Sequence, residues 1–214
     1  MTNFIPIFPL NLVVYPGESL NLHIFEPRYK QMINECFEEN KHFGIPSVIS
    51  NQVAELGTLV MITEITKRYE NGEMDIKTRG LKIFRILETV KTIPDKLYSG
   101  AIVTYPENDE LLQAASMQKV VNNLRQLHEL MKVKKEYKKP DDELLSYDIA
   151  HHIGLNLDEE YELLSLMKES QRLEYLKRHI KKVRSILDEV ENLKHKIQLN
   201  GHFKELKGFN FDIE

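Results

Sequence analysis

Apolar residues recur along this chain with two periods, and the change from one to the other falls near residue 105. From Leu59 to Tyr69 β-branched and apolar residues predominate, Asn71-Gly72 follows, and Met74, Ile76 and Thr78 then alternate with Asp75, Lys77 and Arg79. Alternation sends successive side chains to opposite faces of a strand, so this stretch predicts a hairpin with one buried and one wet face. Asn-Gly suits a two-residue type I′ turn, in which both central residues take positive φ. Further strands are predicted at Phe4 to Phe8, Leu20 to Phe25, Phe43 to Ile49, Leu81 to Leu87 and Leu97 to Tyr105. Strands this short and this numerous suggest a barrel-like or sandwich-like lobe. Among them Arg28 to Glu39 carries apolar residues at Tyr29, Met32, Ile33, Cys36 and Phe37, which is helical spacing, and Pro27 suits a first helical turn. One helix is therefore inserted among the strands.

Beyond Tyr105 the period is helical. Leu111 to Val133 places Leu112, Met117, Val120, Val121, Leu124, Leu127 and Met131 on roughly one face. Pro140 followed by Asp141, Asp142 and Glu143 reads as a helix start, since proline loses no hydrogen bond in the first turn and acids complement the dipole. Asn156 with Glu159 three residues on has the form of a capping box ahead of Tyr161, Leu163, Leu164 and Met167. The last helix is the longest, with a stripe through Leu173, Leu176, Ile180, Val183, Leu187, Val190 and Ile197. Two partners fit such a stripe: neighbouring helices of the same chain, the simpler reading, or a second chain in a coiled coil. Gly201 is placed to stop this helix, leaving Phe203, Phe209 and Phe211 in a short aromatic tail that packs back or docks elsewhere.

Glycine and proline sharpen the division. Six of each lie at or before Tyr105, whereas residues 107–139 and 155–200 contain neither, so turn-rich sequence gives way to long helices. The expected organisation is a β-rich lobe over residues 1–105 and a helical lobe over residues 106–214. With 42% hydrophobic and 29% charged residues the composition is that of an ordinary globular protein. The net charge of −4 is spread as 11 basic against 12 acidic residues through Tyr105 and 18 against 21 beyond it. Neither half is broadly cationic, which argues against a nucleic-acid partner. The single cysteine, Cys36, permits no internal disulfide and no cysteine-rich metal cage. The N-terminus has no basic region before its apolar residues, and Pro6 and Pro9 interrupt them, so no signal peptide is expected. No apolar run reaches the roughly 20 residues of a membrane span, and a cytoplasmic location is the expectation.

The motifs are more specific. Ile5-Pro6-Ile7-Phe8-Pro9-Leu10, then Tyr15-Pro16-Gly17-Glu18, then Leu22-His23-Ile24-Phe25-Glu26-Pro27-Arg28-Tyr29 closely resembles the opening signature of the N-terminal, substrate-recognition domain of Lon-type ATP-dependent proteases. Phe43-Gly44-Ile45, Leu56-Gly57-Thr58, Asn71-Gly72 and Gly80-Leu81-Lys82-Ile83-Phe84-Arg85-Ile86 resemble the later blocks of that family in the same order. Tyr161-Glu162-Leu163-Leu164 fits its helical part more loosely. The chain departs from the family pattern at the hairpin tip, where Asp-Gly is common, and at Ile83-Phe84, where Arg-Phe is common. The resemblance implies an α+β fold: a β-rich pseudo-barrel (PUA-like) lobe with one inserted helix, followed by an α-helical bundle with a long last helix. It also implies recognition of exposed or unfolded polypeptide segments.

Most signature residues read as scaffold. Pro6, Pro9 and Pro16 fix φ, Gly17 permits a turn, Phe25 and Tyr29 fill core space, and Glu26 and Arg28 pair or cap the inserted helix. The residues proposed to touch polypeptide are Phe25, Arg28 and Tyr29 in the signature and His202 and Phe203 near the C-terminus, with the groove between the two lobes as a further surface. Catalytic chemistry finds no support. The phosphate-cradling loop G-x-x-x-x-G-K-[ST] does not occur, nor does a segment resembling the Ser-Lys protease site. Cys36 with His42 could be offered as nucleophile and base, but Cys36 lies in an apolar helical stripe. His151-His152 are adjacent and diverge, His195 and His202 flank a helix end, and neither pair has zinc-ligand spacing. The expectation is therefore a non-enzyme without cofactor or metal, binding unfolded or flexible polypeptides as an adaptor or chaperone-like factor, with an ATPase or protease acting in trans as a further partner. The alternative, by analogy of fold, is an RNA-binding barrel; Lys132, Lys134, Lys135, Lys138 and Lys139 form a local basic run, but Glu136 interrupts it and the run reads as a solvated helix end.

Overall fold

The computed structural model describes residues 3–137 and 139–203, the last four of these by backbone alone. The chain runs β1 (Asn3–Pro6), β2 (Ser19–Ile24), α1 (Pro27–Glu38), β3 (Phe43–Ile49), β4 (Gln52–Arg68), β5 (Met74–Val90) and β6 (Gly100–Thr104). It continues through α2 (Ala114–Leu130), a one-turn α3 (Ser146–Ile149), α4 (Leu157–Ser165) and α5 (Glu169–Phe203). The α+β class is as expected.

The sheet is built around β5. Its antiparallel neighbour β4 follows it from Met74 to Arg85, while the other edge is shared: β2 pairs with Met74–Arg79 and β6 with Arg85–Val90. β1 pairs with β6, and the chain then crosses to β3, where Ile7 and Leu10 form parallel bridges with Gly44 and Ser47. Hydrogen bonds from Phe8 N–H to Gly44 O (2.8 Å) and from Val48 N–H to Leu10 O (2.8 Å) complete the circuit. The sheet therefore closes on itself along β1-β6-β5-β4-β3, with β2 paired to β5 alone.

Two expectations about strands are corrected. Residues 74–79 and 81–87 are one strand, because Gly80 is a crossing point and not a break. Gly80 N–H donates to Glu18 O (2.8 Å), Gly17 N–H donates to Gly80 O (2.9 Å), and a Cβ on Gly80 would overlap the Tyr15 carbonyl. The Asn71-Gly72 hairpin forms but is not type I′. Gly72 alone has positive φ (77°), Gly72 N–H donates to Tyr69 O, and Tyr69 N–H donates to Glu73 O. A three-residue loop closed in this way combines an ordinary turn with a glycine bulge, which is the next commonest hairpin connection.

The helical part also departs from the pattern in places. Leu112 lies before α2 and is exposed, and Pro140 starts only a single 3₁₀ turn (Asp141–Glu143). The Asn156 capping box is present: its side chain accepts from Glu159 N–H (2.9 Å) and the Glu159 carboxylate accepts from Asn156 N–H (3.0 Å). Gly201 does not end α5, which continues to Phe203. Lacking a left-handed residue there, the helix retains its hydrogen bonding through the glycine. Phe209 and Phe211 lie outside the described residues. No helix among the described residues is long and apolar enough to cross a membrane.

Three apolar clusters hold the fold. Ile5, Ile7, Leu59, Phe84, Ala101 and Val103 fill one end of the barrel, and α1 seals the other with Tyr29, Met32, Ile33 and Cys36 against Phe43, Val60 and Met74. The third cluster joins barrel to helices, since Val13, Tyr15, Leu56 and Ile83 pack with α2, α4 and α5 residues such as Val121, Leu124, Leu163 and Leu176. Strand alternation explains the split at Ile83-Phe84: the phenylalanine points into the barrel and the isoleucine into the helices.

Candidate functional site

Where barrel and helices meet, the segment 12–20 forms one wall of a groove of about 810 Å³, and residues 135–160 form the other. That volume lies within the range of ordinary ligand clefts. Its surface is mixed. Leu12, Val13, Leu20, Leu144 and Tyr147 contribute apolar area, and Lys135, Lys139, Glu18, Glu136 and Asp148 bring both signs of charge.

The wall at residues 12–20 is irregular because Pro16 cannot donate a ladder hydrogen bond and Gly17 (φ 81°) turns the chain. It is nonetheless firmly placed. Tyr15 is fully buried, its hydroxyl donates to Glu160 O (3.1 Å), and its ring stacks on Tyr147 at 5.0 Å and lies 4.8 Å from His151. Burial pushes the Tyr15 hydroxyl well above the usual tyrosine range, so it remains a neutral donor. Thr58 Oγ1 donates to Val14 O, fixing the same segment from below.

His151 joins the two walls. Its Nδ1–H donates to Glu160 (2.7 Å) and its Nε2–H to Glu18 (3.2 Å), while Glu18 also accepts from Tyr15 N–H (2.8 Å). Partial burial disfavours the imidazolium, but the hydrogen bonds and charges of Glu160 and Glu18 outweigh it and raise the pKa to about 10. At neutral pH both ring nitrogens therefore carry protons that are already committed. Such a histidine serves neither as a general base nor as a metal ligand. Among the described residues no cluster of His, Cys, Asp and Glu is arranged to hold a metal ion.

The opposite wall rests on a buried charge. Arg172 is fully buried and pairs with the equally buried Glu169 (2.8 Å). Its guanidinium also donates to Ser146 Oγ (2.9 Å), Asn108 Oδ1 (2.8 Å), Leu166 O (2.7 Å) and Asp109 O, and lies 4.3 Å over the Tyr147 ring. Glu169 accepts from both Ser146 N–H and Ser146 Oγ–H. One guanidinium thus ties the 105–113 connection, α3 and the start of α5 together, and positions Tyr147 in the groove. At the groove wall the Tyr137 hydroxyl is buried without a hydrogen-bond partner among the described residues.

The sequence-derived candidates lie elsewhere. Phe25 does not fill core space as expected: between β2 and α1 its ring is 58% exposed and stacks near His23 (6.2 Å). Arg28 pairs with Glu26 (2.7 Å), as the reading of those two residues expected, and covers the Tyr29 ring at 4.6 Å. Tyr29 itself is buried, stacked on Phe8 at 3.8 Å. The structure brings these three together beside α1, and none of them lines the groove. His202 and Phe203 fall at the end of α5, and their side chains lie outside the described residues. Cys36 is buried, with its thiol pushed up to about 12 by burial, which leaves it unreactive. Sequence reasoning did not single out Glu160, Tyr137 or Arg172, and considered His151 only as a metal ligand. The one available signal was Glu18 inside the Tyr15-Pro16-Gly17-Glu18 block.

Comparison with known proteins agrees with this fold. A family model described as the ATP-dependent protease La (LON) substrate-binding domain matches residues 5–182. Among solved structures, a Lon N-terminal domain protein from Xanthomonas campestris superposes with a TM-score of 0.63 at 22% identity, covering 81% of this chain and 96% of that one. The N-terminal domain of Mycobacterium avium complex Lon protease gives a TM-score of 0.61 at 15% identity, covering 84% and 98%. At these identities the likeness is one of fold.

Proposed function

This chain belongs to the family of the ATP-dependent protease La (LON) substrate-binding domain, and from that premise we propose that it binds exposed or unfolded polypeptide in the groove between barrel and helices, and releases it unchanged. The observation that carries this reading is the groove itself. An apolar floor suits side chains of a flexible segment, and the two-signed rim suits no single polyanion. Phe25 and Arg28, exposed on the barrel, form a secondary contact patch in this proposal, and Tyr29 supports it from beneath.

The role is that of an adaptor or chaperone-like factor in the cytoplasm. No step of bond cleavage is assigned to it, and any unfolding or proteolysis of the bound chain falls to an ATPase or protease in trans. Interspersed acidic residues around Lys135 and Lys139 set the groove apart from the continuous cationic tracks that RNA requires.

The test is titration with an unfolded model polypeptide and with peptides rich in aromatic residues. Saturable binding tighter than about 1 mM, equivalent to about −4 kcal/mol, is expected. Leu12→Glu and Leu20→Glu should each weaken it at least about tenfold. Absence of saturable binding, or binding by both variants equal to that of the wild type, would overturn the proposal. Tighter, salt-dependent binding of RNA would replace it.

A further inference from the structure

α5 loses its neighbours halfway along. Leu173, Leu176 and Ile180 are buried in the bundle, and Val183 and Leu187 still pack against it. The hydrogen bond from Arg184 to Gln126 (3.2 Å) is the last tie to α2. From residue 188 to residue 199 every position is exposed. A twelve-residue helix with no tertiary contact among the described residues is marginal in water, since helix stability in proteins comes mainly from packing.

That free half is not polar all round. Ile186 (50% exposed), Val190 (42%), Leu193 (58%) and Ile197 (62%) follow one another at intervals of four, three and four. This is the a/d seam of a two-stranded coiled coil. The simpler reading of the stripe, packing within the chain, holds through Leu187 and fails beyond it.

We infer that this half of α5 pairs with the same segment of a second copy of the chain in an antiparallel coiled coil. The segment is complementary to itself in that direction. Setting Val190 against Leu193 of the second copy also sets Ile186 against its Ile197, so the four seam residues are covered, while Leu199 (48% exposed) lies off the seam. The same register places Glu189 beside Lys196 of the second copy, and by symmetry Lys196 beside its Glu189, in the flanking positions where opposite charges select partner and direction. It lays residues 188–199 of one copy along residues 184–195 of the other, a stretch that begins at the last bundle contacts, those of Arg184 and Leu187. A parallel pairing would bring both bundles to the same end of the coil.

The test is sedimentation equilibrium of the full chain, read with thermal melts. The wild type should give twice 25.1 kDa at concentrations below about 1 mM. Leu193→Glu should give a monomer whose bundle melts at the wild-type temperature when measured at concentrations where both are monomeric. Glu189→Lys should raise the dissociation constant at least about tenfold, and adding Lys196→Glu should restore it. A wild type that stays monomeric throughout, or a dimer indifferent to Leu193→Glu, would overturn the inference. Rescue of Glu189→Lys by Lys194→Glu in place of Lys196→Glu would overturn its antiparallel register.

Discussion

His151, on the turn after α3, holds Glu18, in the loop before β2, by a 3.2 Å hydrogen bond across 133 residues of sequence. With Glu160 on the other ring nitrogen, this imidazolium closes a link from barrel to helices at the edge of the groove. Its energetic consequence has a definite sign with pH.

The unfolded chain should protonate His151 near 6.5, and the folded chain holds that proton up to about 10. The link's stabilisation is therefore complete below about 6.5 and is lost as pH rises from there through 10. His151→Gln should lower stability by about 1 kcal/mol near pH 6, or about 2–4 °C in melting temperature, the charge pairing being partly screened by solvent. The difference between variant and wild type should shrink towards pH 10. A difference that grows with pH in paired thermal melts would refute the assignment.

Arg172 offers the larger effect because its site is dry. Arg172→Met leaves the Glu169 carboxylate buried without its counter-charge, and strips donors from Asn108 Oδ1 and Leu166 O. Breaking a buried pair from one side typically costs about 3–5 kcal/mol. Arg172→Lys should recover little of it, since one ammonium cannot span acceptors on the 105–113 connection, α3 and the α4–α5 link together. Urea unfolding monitored by circular dichroism would measure both, and a variant within about 1 kcal/mol of wild type would show that the network is not what anchors α3.

Gly80 separates a steric requirement from a conformational one. A Cβ at Gly80 would meet the Tyr15 carbonyl, whereas a Cβ at Gly17 would meet nothing and is disfavoured only by its φ of 81°. Gly80→Ala should cost about 1–3 kcal/mol as overpacking between two backbones. Gly17→Asn should be milder, because asparagine tolerates the left-handed region. Comparing denaturant midpoints tests the ranking, which fails if Gly17→Asn is the more damaging change.

These positions also show what was legible in the sequence. The succession of strands, the inserted α1 and the Asn156 capping box follow from local period and capping chemistry, which act within a few residues. Gly80 misled because a glycine that permits backbone crossing and one that breaks a strand have the same local signature. Asn71-Gly72 fits two hairpin turns, since both place Gly72 at positive φ. The groove was not readable in detail: Glu18, Tyr137, His151 and Glu160 come together only through the barrel–helix interface. The stripe on α5 was visible as spacing, but where its intramolecular partners end depends on how far the bundle reaches.

Cys36 provides a probe of barrel opening. It lies between Tyr29, Ile33 and the β3 residues under α1, and burial holds its thiol up at about 12, so at neutral pH the native chain presents neither access nor thiolate. A thiol reagent should modify it only when α1 leaves the barrel. If α1 opens only with global unfolding, the labelling rate should fall with the unfolding equilibrium and change in parallel with the denaturant stability of Arg172→Met and Gly80→Ala. If α1 detaches as a local unit, labelling should be insensitive to Arg172→Met, which acts in the helices, and still respond to Gly80→Ala, which acts in the barrel. Rapid stoichiometric labelling of the folded protein in the absence of denaturant would contradict the buried, protonated thiol.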